Sequence, residues 1–208
     1  MEKIKVALIL LFIINGDLIA QKLSFGYDIG LDVVNYKYIG PTPIAKFDPR
    51  LSYNFGTDLI YSFSSRIQGQ LEFGFAEKGA KLLYPGSNKP VSFKSGYITS
   101  SAAIKIMTFK RLFFDIGPEI GFLIYNKKRE EDGLVYNVID KAEKKFEFSG
   151  VIGIEYVIWR DLSIFLKFKY SFTPLFDGIV AIDPGPSQPY KIYNEQLSFG
   201  GFFLFKKR

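Results

Sequence analysis

Cysteine and histidine are both absent from this 208-residue chain. The first absence excludes disulfide scaffolds, thiol nucleophiles and cysteine-based zinc sites. The second excludes Ser-His-Asp triads, imidazole acid–base catalysis and histidine-ligated metals. Gly-rich phosphate loops, EF-hands and Walker patterns are missing too, so no cofactor is expected. Long apolar runs are scarce: the longest, Val6–Ile14, is too short to cross a bilayer as a helix. The net charge of +6 is small and scattered, which argues against a nucleic-acid partner.

What the chain has in excess is aromatic. It carries 22 Phe and 13 Tyr, far from the composition of a disordered chain. Its length suits one domain with a full core.

The first twenty residues read as an address. Lys3 and Lys5 precede the apolar run, Asn15-Gly16-Asp17 interrupt it, and Leu18-Ile19-Ala20 stand before Gln21. That order predicts a secretory signal over residues 1–20, cut after Ala20, and a mature domain over 21–208. No cysteine follows, so a lipoprotein anchor is not expected.

From Leu23 onward the pattern has period two and recurs eight times. Apolar residues occupy every second position from Leu23 to Val33, Leu51 to Phe63, Ile67 to Phe75, Ile98 to Ile106, Leu112 to Ile124, Phe146 to Ile158, Leu162 to Phe172 and Leu197 to Phe205. None of these positions is charged, although 23% of the chain is. The intervening positions hold small, polar and charged residues, as in Asp28, Gly30 and Asp32. No helical period of useful length competes.

Connections alternate as well. Ser64-Ser65, Lys110-Arg111 and Trp159-Arg160-Asp161 form tight turns, whereas residues 35–50, 77–95, 126–145 and 173–195 form long, Pro- and Gly-containing links. Short turns on one side and long loops on the other is the asymmetry of an outer-membrane barrel. The expected fold is all-β: an eight-stranded antiparallel up-and-down transmembrane barrel with periplasmic turns and extracellular loops. Strand length and aromatics at the strand ends, such as Tyr61, Phe63, Phe109 and Trp159 on one side and Tyr125, Tyr170 and Phe172 on the other, favour lipid outside. Alternation alone leaves a secreted soluble ligand-binding barrel and a small-solute channel as alternatives. Pro118 predicts a bulge or local bend in the fifth strand.

On these registers the lumen receives Asp28, Asp32, Asp58, Glu72, Asp115, Glu119, Glu147 and Glu155 against Arg66, Lys105, Lys167 and Lys169. Eight strands leave an interior just wide enough for side chains, so a structural charge network is expected rather than an open pore. Lys105 and Asp115 should face each other across the Lys110 hairpin. Carboxylate pairs of this kind can do acid–base work, but a filled lumen gives a substrate no access, so no enzyme is expected. Gly26, Gly30, Gly117, Gly121 and Gly153 read as lumen positions that make room for larger side chains opposite.

Gly26 and Gly30, Glu77-Lys78-Gly79, Gly117-Pro118-Glu119-Ile120-Gly121 and Phe148-Ser149-Gly150 together resemble the outer-membrane β-barrel family that includes PorT. The last strand is similar to the signal read by the barrel-assembly machinery, with Ser198, Gly200, Phe203 and Phe205 at its offsets; Lys206-Lys207-Arg208 beyond the final aromatic depart from it. The resemblance implies a non-enzymatic barrel of the Gram-negative outer membrane with a structural or accessory role linked to protein secretion. Implied partners are outer-membrane lipid, lipopolysaccharide, the assembly machinery and a secretion-complex protein. The charged run Lys127–Asp132 is a solvated loop or a contact for lipopolysaccharide phosphates.

Overall fold

Alternating β-branched and aromatic residues favour extended backbone, and in this chain they give almost nothing else. A computed structural model describes residues 23–41, 46–83, 90–129, 135–137, 144–180 and 188–205. The expected signal segment lies outside them, as does Lys206-Lys207-Arg208. Twelve strands follow in order: β1 Leu23–Ile39, β2 Lys46–Asp48, β3 Arg50–Ser62, β4 Ile67–Lys78, β5 Lys81–Leu83, β6 Val91–Phe109, β7 Leu112–Arg129, β8 Val135–Asn137, β9 Phe146–Val157, β10 Leu162–Ser171, β11 Phe176–Val180 and β12 Gln188–Phe205.

Eight of them close a ring. Each neighbour pairs antiparallel in the cycle β1-β3-β4-β6-β7-β9-β10-β12, and β12 returns to β1 from Phe25↔Phe205 through Ile39↔Lys191. Closure removes every free edge, the condition a sheet must meet to stand in a membrane. At the long-loop end the short β5, β8 and β11 pair with the ring strands β6, β7 and β12, and β2 pairs with β5.

The faces are inverted relative to a soluble barrel. Leu31 is 68% exposed while its neighbour Asp32 is fully buried, and the same contrast runs along every ring strand. Outward-pointing Phe, Ile and Leu with inward charge can be stable only where the outside is apolar. The soluble binding-barrel alternative is thereby excluded, and the chain spans a membrane through its strands.

Rings of aromatics mark the two ends of the apolar band. Phe63, Phe109 and Trp159 are exposed at the tight-turn end. At the opposite end, Phe75 packs against Tyr53, Phe55 and Tyr125, and Phe148 against Phe172. Such belts sit at headgroup level.

Three turn-level details depart from, or add to, expectation. The links expected as loops are partly strand: β1 runs to Ile39, β6 begins at Val91, β7 runs to Arg129 and β12 begins at Gln188. The ladder continues above the bilayer, where the apolar alternation that marks a lipid face is no longer required. Pro118 causes no bulge. Register between β6 and β7 is unchanged across it, from Ser101↔Glu119 to Ile104↔Ile116, and the shifts fall at Gly96/Tyr97 and Met107/Phe109 instead. Gly117 explains the accommodation, since a Cβ there would lie 2.0 Å from the Ala102 carbonyl oxygen; its absence lets the two backbones approach beside the missing N–H. In the tight turns, the Ser64 hydroxyl accepts from the Arg66 and Ile67 amides at 3.2 and 3.1 Å, and Arg111 holds φ 70° between β6 and β7.

Candidate functional site: a lumenal charge network

Inward positions of the ring strands place eleven of the twelve expected lumen residues inside. Asp28, Asp32, Asp58, Glu72, Lys105, Asp115, Glu119, Glu147, Glu155, Lys167 and Lys169 are each at most 7% exposed. Arg66 is the correction. It lies exposed in the turn between β3 and β4, because the ladder of β3 ends at Ser62 and the inward alternation does not carry through the turn.

Glutamates and lysines form one chain across the lumen. Lys167 of β10 donates to Glu72 of β4 at 2.8 Å, and Lys169 lies 3.8 Å from the other oxygen of Glu72 while bonding Glu119 of β7. Lys78 of β4 donates to Glu119 at 3.1 Å and to Glu147 of β9 at 2.5 Å. Ser149 and Asn194 also donate to Glu147. Nearer the turns, Lys105 pairs with Glu155. Lys105 and Asp115 do stand opposite each other in register, yet the ammonium goes to Glu155.

Lys78 escaped the sequence reading, which ended the third strand at Phe75. Extending the inward alternation of Gln70, Glu72 and Gly74 by two more steps reaches it, and that was the available signal. Arg50, which pairs with Glu77 at the rim of the long-loop end, was missed for the same reason, one inward step before Ser52; Glu77 has the outward parity and left no such signal.

The four aspartates behave differently from the four glutamates. Among the described residues, none of Asp28, Asp32, Asp58 and Asp115 joins an ion pair, and each has one buried oxygen without a hydrogen-bond partner. Asn54 donates to the other oxygen of Asp32, and Gln70 to that of Asp58. Eight lumenal carboxylates thus face four lysines.

Apolar side chains flank this polar layer at both ends. Toward the long loops, Tyr36, Tyr97, Leu123 and Leu175 form a buried cluster flanked by Phe47, Phe93, Phe176 and Ile192. Toward the turns, Ile60, Phe165 and Phe202 form a second, with Leu204 against it. The ammonium of Lys105 sits 5.2 Å from the ring centre of Phe202, and that of Lys167 4.8 Å from Phe165, so the cations also face π-clouds. Lumenal glycines give the space: a Cβ on Gly26 would meet the Phe202 ring at 2.6 Å, and one on Gly30 would meet Asn54 at 2.7 Å.

In the last strand Ser198 is buried in the lumen, Phe203 stacks on Tyr27 at 5.6 Å and Phe205 lies tilted against it at 5.4 Å. A Cβ on Gly200 would lie 2.2 Å from the Ile29 carbonyl oxygen, so this glycine permits the close approach of β12 to β1 at the closing seam.

A closed eight-stranded ring with an apolar outer band, two aromatic belts and a filled polar interior defines a small integral outer-membrane β-barrel. The sequence profile described as "Outer membrane protein beta-barrel domain" matches residues 19–177, and the chain belongs to that family. A solved structure shares the fold, and others align with it more loosely. OprG of Pseudomonas aeruginosa aligns at 11% identity with a TM-score of 0.54, over 90% of this chain and 98% of its own. Ail of Yersinia pestis, in complex with the heparin analogue sucrose octasulfate, aligns at 13% identity and 0.49, over 88% and 99%. Neisserial surface protein A aligns at 11% and 0.49, over 85% and 96%. No curated protein matches the chain.

Proposed function

We propose that this chain is a non-enzymatic outer-membrane barrel with a structural or accessory role, and that it does not conduct solutes. The observation that carries this reading is the lumen itself, filled by ion-paired side chains between two apolar layers. A substrate would have no route to the carboxylates, and the chain has neither histidine nor cysteine to act on one. Residues 1–20 serve as the export signal, and Ser198, Gly200, Phe203 and Phe205 as the strand read by the assembly machinery. At the long-loop end, Lys94 and Lys127 stand directly opposite on β6 and β7. Like charges so placed repel; the Glu77 carboxylate answers Lys94 in part, and lipopolysaccharide phosphate would answer the rest. The resemblance to the family that includes PorT extends the reading to a place beside a secretion complex.

Planar-bilayer recording of the refolded protein tests the closed lumen. Silence at all voltages is expected, and reproducible conductance steps would make the protein a channel. For the accessory role, a tagged pull-down from mild-detergent outer membranes should bring a secretion component in stoichiometric amount. Recovery of the barrel with lipopolysaccharide alone would end that extension.

A further inference from the structure

Three of the lumenal carboxylates converge. Asp28 of β1, Asp58 of β3 and Glu72 of β4 bring carboxylate oxygens within 4.8 Å of one another. Like charges at this range, away from water, oppose one another strongly unless something positive stands between them. Lys167 bonds Glu72 Oε2 and Lys169 lies 3.8 Å from its Oε1, but neither forms an ion pair with Asp28 or Asp58. Asp28 is 3% exposed and its Oδ1 has no partner; Asp58 is 2% exposed and its Oδ2 has none. Gly56 lets the Asp28 carboxylate pack this close to its neighbours, since a Cβ there would lie 2.7 Å from the same orphaned oxygen.

The shortage of positive charge is general to the lumen, but among the described residues only here do three carboxylates gather. Asp32 stands further along β1, where Asn54 donates to it, and Asp115 stands on the opposite wall beside Gly153. Oxygens alone, carboxylate in kind and close enough for one ion to bridge with bonds of roughly 2.3–2.6 Å, are the donor set of calcium.

We propose that Asp28, Asp58 and Glu72 bind a calcium ion in the sealed interior of the barrel. The apolar clusters at both ends block later entry, so the ion is taken up as the strands close. It supplies the charge the lysines do not.

The test refolds the full-length barrel from urea into detergent micelles with millimolar calcium, with magnesium alone, or with chelator. Gel-filtered protein then goes to elemental analysis. One calcium per chain is expected after folding with calcium, retained through a chelator wash of the folded protein. Asp28→Asn with Asp58→Asn should lose it, and Asp32→Asn should keep it. The urea midpoint of the wild type should be higher after folding with calcium than with chelator. Wild type that carries no more calcium than the double variant overturns the proposal. So does a double variant that is more stable than wild type under every ion condition, since neutral amides would then stand in for protonated acids. If the double variant does not fold, the wild-type calcium content and the ion dependence of its midpoint decide alone; a null result in both overturns the site.

Discussion

Lys78 and Glu119 meet at 3.1 Å across the lumen although their strands, β4 and β7, are not neighbours in the ring. The same ammonium reaches Glu147 on β9 at 2.5 Å. One lysine thereby ties three walls of the barrel together. Replacing it with methionine leaves Glu147 buried without a cation and Glu119 with Lys169 alone, which costs about 3–5 kcal/mol. Urea unfolding in micelles, followed through the lone tryptophan, Trp159, should show Lys78→Met lowering the midpoint and, through the slope, the unfolding free energy by that amount. Adding Glu147→Gln to Lys78→Met should recover part of the loss.

Ile152 sits midway along β9 with its side chain toward lipid, level with Ile116 and Phe168 on either side. An arginine there should destabilise by about 2–4 kcal/mol in bilayers, whereas Ile39→Arg, at the extracellular end of β1, should cost about 0–1 kcal/mol. Equal costs at the two positions would mean that the apolar band does not face lipid.

Gly79 combines φ +138° with a Cβ position only 2.2 Å from the Phe93 carbonyl oxygen. Alanine would meet both the strained backbone and the clash. Gly79→Ala should therefore cost at least about 2 kcal/mol, and limited proteolysis should cut first near the long-loop ends of β4 and β6.

The ring was legible because lipid imposes a strict rule: every second residue from Leu23 to Val33, or from Leu112 to Ile124, must be apolar. Above the bilayer the rule lapses, so the extension of β1 to Ile39 and the start of β12 at Gln188 left no periodic trace. Lumenal membership followed from parity, but pairing did not. Lys105 passes Asp115, its register partner, and reaches Glu155, because a long ammonium arm and the extra methylene of glutamate can cross the lumen where aspartate cannot. The division into paired glutamates and unpaired aspartates is a consequence of side-chain length inside a narrow ring. Arg66 shows the opposite error, in which inward alternation was carried past the last ladder pair into a turn.

The central claim is that the polar lumen is shut at both ends. Absence of cysteine gives a clean background for testing it. Ser149→Cys is nearly isosteric, buried at 1% exposure beside Glu147, and lies between the two apolar clusters. Labelling of the folded, reconstituted variant with a small charged thiol reagent is the direct measurement. The account predicts no labelling until urea unfolds the barrel, with full labelling afterwards. Rapid modification of the folded protein would mean that water and ions traverse the lumen, and the sealed-barrel account would be wrong.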